Sequence, residues 1–139
     1  MIKKFILIIL FIGFASCKTV KTDQENIAKA TYILEYKKAV LYGCINAGTD
    51  GNFRKFSLEN NDLGLAGVVA TLYHSETDKA QEIGAKLSQN IRSIDYADYE
   101  GRKPIFDDCV NFAFSPKIDR IAEMQYLQSQ RNDGKLSYE

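Results

Sequence analysis

Apolar positions in this chain recur at helical spacing, and no stretch alternates in the manner of a strand. An unbroken apolar run from Phe5 to Phe14 is followed by a polar stretch, 18–25 (KTVKTDQE), with no core pattern. From about Asn26, Ile27, Thr31, Leu34, Leu41 and Cys44 or Ile45 fall on one stripe, flanked by Ala30, Ile33 and Val40. This predicts a long amphipathic helix ending near Asn46, with Gly48 as the stop signal. Residues 48–60 read as a loop around Phe53-Arg54-Lys55-Phe56. A second helix is predicted from Asp62 to Tyr73, capped by Asn61, with Leu65, Val68, Val69 and Leu72 inward. Gly64 and Gly67 weaken it by about 1 kcal/mol each relative to alanine.

Ser75-Glu76-Thr77-Asp78 has the form of a capping box. It opens a third helix with Ala80, Ile83, Leu87 and Ile91 on one face, ending between Arg92 and Ile94. The stretch 93–103 lacks periodicity and reads as a loop. Pro104 suits the first position of a fourth helix, with Ile105, Phe106, Cys109, Val110 and Ala113 inward. Ser115-Pro116 starts a fifth helix that runs to about Gln128, with Ile118, Ile121, Ala122 and Gln125 on its inner side. The expected fold is therefore all-α: a small single-domain bundle of about five helices with one disulfide. The domain spans 26–128, and 129–139 reads as a flexible tail.

The N-terminal run changes where this domain is expected to work. Lys3 and Lys4 precede it, and Ala15 and Ser16 are the small residues a signal peptidase needs. Phe14-Ala15-Ser16-Cys17 resembles the lipobox of bacterial lipoproteins. That resemblance implies removal of residues 1–16, acylation of Cys17 and a lipidated tether over 17–25. The plain alternative is an ordinary secretory signal with Cys17 beside it. On the lipoprotein reading the protein sits in the bacterial cell envelope, facing the periplasm, and touches the membrane only through its acyl chains. Several such chains hold far more firmly than one, each methylene contributing about 0.8 kcal/mol.

The 123 residues left are enough for a single core. They carry 16 basic and 18 acidic side chains, a net −2 without a basic block, so nothing suggests a nucleic-acid partner. The remaining cysteines, Cys44 and Cys109, read as a disulfide in an oxidising compartment, the alternative being two separate buried thiols. Closing a loop of about 66 residues would stabilise the fold by about 4 kcal/mol on the chain-entropy model.

Candidate chemistry is sparse. The single histidine, His74, lies at a helix junction, and no second histidine or free cysteine completes a metal or catalytic set. A capping or surface role explains it, whereas a hydrolase would need to pair it with Asp78 or Glu76. Asp107-Asp108 suits the positive end of a helix dipole. No enzyme, cofactor or metal is expected. The stretch Asp95, Tyr96, Asp98, Tyr99 and Glu100 is suited to protein contact, because tyrosine gives large contact area at low rotamer cost. A solvated loop with tyrosines leaning on the bundle is the other reading.

Two segments resemble a known family. Tyr36-Lys37-Lys38-Ala39-Val40-Leu41-Tyr42-Gly43-Cys44-Ile45 is similar to the first helix of the type VI secretion amidase immunity proteins. Gly101 to Ser115, with Phe106 three positions before Cys109, resembles that family's second cysteine helix. Asn61-Asp62-Leu63-Gly64 matches only in kind. The resemblance spans about 30–125. It implies an all-α fold with a disulfide matching Cys44–Cys109, and a homodimer that sterically blocks a secreted papain-like peptidoglycan amidase. The contact elements would lie around Tyr73 and His74, up to Asp78, and in the loop holding Asp95, Tyr96, Asp98, Tyr99 and Glu100. A structural or accessory lipoprotein binding another envelope partner is the alternative function.

Overall fold

The computed structural model describes residues 2–60, 72, 74–95 and 101–136, with side chains described between 22 and 131. Five helices occur among them, with no strand: α1 (Ile2–Gly48), α2 (Asn52–Glu59), α3 (His74–Ser88), α4 (Ile105–Ala113) and α5 (Pro116–Leu136). The all-α bundle with one disulfide is thus what forms. The chain divides into two units, 1–31 and 32–139. In the first, the stretch expected as a tether, 18–25, is part of the helix, and side chains from Thr22 to Thr31 are exposed except half-buried Lys29. Among the described residues no helix is long and apolar enough to cross a membrane.

The core of the second unit is built on α1: Leu41, Cys44 and Ile45 of the expected stripe are buried, whereas its earlier members are not. Tyr32, Tyr36, Val40 and Cys44 face inward at four-residue spacing, while Leu34 is exposed. In the first unit Ile27 is 65% exposed, and Ala30 and Thr31 are exposed too. Ahead of residue 39, the rings of Tyr32 and Tyr36 rather than the aliphatic side chains given to the stripe are what the helix buries. Tyr32 stacks on Tyr36 (6.4 Å between ring centres) and meets the edge of Tyr126 from α5 at 5.3 Å. Such pairs contribute about 0.5–1.5 kcal/mol beyond their burial. From Ala39 to Ile45 every residue of α1 is buried, so this stretch is the centre of the bundle.

α3 crosses that centre at close range. Its buried positions are Glu76, Ala80, Gly84 and Ser88, while Ile83 and Leu87 pack against the core from its flanks. A Cβ on Gly43 would run into the Gln81 backbone, and one on Gly84 into the Val40 carbonyl. Small residues are needed at that seam, and the larger aliphatics lie beside it. The helix ends at Ser88, earlier than expected. Asn90 and Ile91 turn back to donate to the Leu87 and Ser88 carbonyls, which lets Ile91 reach the core from outside the helix.

Cys44 and Cys109 form the disulfide, with Cα atoms 5.7 Å apart and both residues fully buried. The bond ties α1 to α4. α4 also rests on α1 through Ile105, whose side chain lies against Gly48. Pro104 caps α4 rather than opening it, since its ψ of 56° is not helical. Phe106, expected inward, is 68% exposed: it shares a stripe with Cys109 and Ala113 but stands in the first turn of α4, ahead of the two positions at which the helix is buried.

Two further expectations change. The stretch expected as a loop over 48–60 contains α2. Its orphan first-turn N–H groups are satisfied from α1's end: Arg54 donates to Asn46 Oδ1 at 3.1 Å and Phe53 to Thr49 Oγ1 at 3.2 Å. Eight residues are too few to show a helical period, and the fixing contact is non-local, Phe53 against Tyr42 at 5.9 Å. At the other end, α5 continues to Leu136 instead of stopping near Gln128, so most of the expected tail is helical. Ser129 is buried, donating to the Tyr126 carbonyl at 2.8 Å. The helix expected over 62–73 lies outside the described residues but for Leu72, which packs on the core.

Candidate partner-binding surface

α3 supplies the first part of the surface. It begins at His74, one residue before the capping-box serine, so Ser75 lies within the first turn and does not precede it. His74, Ser75 and Asp78 are exposed and Glu76 is buried. Residues two apart on a helix point away from each other, so Glu76 faces the core while His74 faces solvent. His74 and Asp78, four apart, share the solvent side. The pairing of His74 with Glu76 that a hydrolase could have used is therefore not formed. Among the described residues no group of three or more His, Cys, Asp or Glu could hold a metal.

Glu76 explains why α3 starts where it does. A carboxylate in the first turn of a helix is favoured by the positive end of the dipole. Here it also lies beside Tyr32 and Tyr36. Burial, and then the Glu76 carboxylate, raise the Tyr32 phenol well above its ordinary value, and Tyr36 is raised by burial first and the Glu76 charge second. The Tyr32 hydroxyl makes no hydrogen bond of sound geometry, although Glu76 is near enough to oppose its ionisation. This cluster is a polar inset in the core below His74, and it fixes the first turn of α3 against α1.

The second part of the surface is the loop after α3. Its base is closed by one backbone hydrogen bond, from the Ile94 N–H to the Arg102 carbonyl at 2.8 Å. Gly101 turns the chain at φ 79°, in open space, a conformation that side-chain-bearing residues rarely take. Asp95 is exposed beside that base. Tyr73, Tyr96, Asp98, Tyr99 and Glu100 lie outside the described residues.

The two parts lie at opposite ends of α3. Fourteen residues separate His74 from Ser88, about 21 Å along a helix axis. Nothing among the described residues brings His74 and Asp95 together. The family resemblance implied two contact elements, around Tyr73 to Asp78 and in the stretch 93–103, and did not match their residues individually.

Exposed apolar side chains were not anticipated as surface. Phe56 and Leu58 on α2, Phe106 on α4, and Met124 and Leu127 on α5 are all more than half exposed. Phe114, at the end of α4, is less isolated: the Lys37 ammonium sits 4.8 Å from its ring centre and 2.6 Å from the Asp119 carboxylate. Cys17 lies in α1, outside the residues whose side chains are described. Comparisons with protein-family models, with curated proteins and with solved structures return no match.

Proposed function

We propose that this chain is an exported, lipid-anchored domain that works by binding another protein, and that its partner is a cell-wall amidase which it blocks sterically. The observation that carries the reading is the Cys44–Cys109 bond at the centre of the core. A structural disulfide belongs to an oxidising compartment. It accounts for the two cysteines of the bundle and leaves Cys17, at the end of an apolar run, as the residue for lipid. The immunity role follows from the resemblance of 36–45 and 101–115 to amidase immunity proteins, with His74 and Asp95 marking the exposed positions of the contact region. The domain acts by filling the amidase's substrate groove, as a homodimer.

Two measurements test this. Full-length protein in its bacterial host is expected to partition into detergent, and Cys17→Ser to move to the aqueous phase. Equal partitioning would remove the lipoprotein reading. The mature domain mixed with a secreted papain-like amidase encoded beside it is expected to co-elute on size exclusion and suppress peptidoglycan cleavage. Separate elution with undiminished cleavage would remove the immunity reading and leave an accessory lipoprotein with a different envelope partner.

A further inference from the structure

We draw no further inference here: the strongest candidate, the buried Tyr32, Tyr36 and Glu76 cluster between α1, α3 and α5, belongs to the core already described, and nothing in the structure shows a ligand reaching its unpaired Tyr32 hydroxyl.

Discussion

Gly84 is seated against the backbone of Cys44: a Cβ at Gly84 would stand 2.6 Å from the Cys44 amide nitrogen and meet the Val40 carbonyl as well. Helix backbones cannot yield as a flexible side chain does, so the added methyl must push α3 away from α1. Gly84→Ala is expected to destabilise the domain by about 1–3 kcal/mol, the usual range for overpacking. Alanine's intrinsic helix advantage of about 1 kcal/mol works in the opposite direction and is outweighed. Thermal unfolding of the mature domain reads the sign directly. A melting temperature at or above that of the parent would show that the two helices do not cross this closely.

The same crossing sits beside the disulfide, because Cys44 belongs to both. Cys44→Ser and Cys109→Ser are each expected to cost about 4 kcal/mol, the loop-closure value for this separation, and the double variant no more than either alone. Denaturant titration of the three variants checks this. Costs that add would mean that the two sulfurs stabilise the fold independently. Reductant is expected to act on the parent only after partial unfolding, since both sulfurs are fully buried.

Lys37 joins α1 to the first turn of α5 through Asp119, at 2.6 Å, while its ammonium also lies over Phe114. Asp119 is half exposed, so salt reaches the pair. Asp119→Asn is expected to cost about 0.5–1 kcal/mol at low ionic strength and clearly less in 1 M salt. A loss that is unchanged by salt would assign the effect to the helix start rather than to the ion pair.

The helical character of this chain was legible in its spacing, and the starts of α4 and α5 were marked by Pro104 and Pro116 within a residue. Cys44 and Cys109 were legible as a pair because they are few and the N-terminal apolar run reads as an export signal. The burial of Tyr32 and Tyr36 was not, because both carry hydroxyls and did not enter the apolar stripe, yet their rings fill the core. α2 was missed because Asn46 and Thr49 cap it from the preceding helix, a contact that turn chemistry alone does not announce. On α3 the inward position of Ala80 was legible, but Gly84 was missed and Ile83 and Leu87 proved only partly buried. At a backbone-to-backbone crossing the buried residues are Ala80 and Gly84, so hydrophobicity points to the flanks instead of the seam. For the contact surface, the acidic and aromatic residue types singled out Asp95, whereas His74 came from the family resemblance and its own setting suggested only a capping or surface role; both are exposed.

Tyr32 and Tyr36 give the fold a dependence on alkaline pH. Both phenols are raised from an ordinary value near 10, by burial first and then by the Glu76 carboxylate. Below pH 10 the phenols are protonated in the folded and unfolded chains alike, so their contribution is fully present. Above it the unfolded chain releases protons that the folded chain retains, and stability falls as pH rises toward the folded values. For Tyr32 the loss should be on the order of 1 kcal/mol by pH 11, and Tyr36 adds to it in the same direction. Tyr32→Phe is expected to make this slope shallower. At neutral pH the same change should be close to neutral, because it removes a buried hydroxyl that makes no hydrogen bond while keeping the ring against Tyr36 and Tyr126. Rapid circular-dichroism melts between pH 8 and 11, fast enough to outrun disulfide exchange, measure both effects. If parent and Tyr32→Phe lose stability along the same curve, the Tyr32 phenol is not held neutral by its surroundings, and the Glu76 carboxylate does not oppose its ionisation.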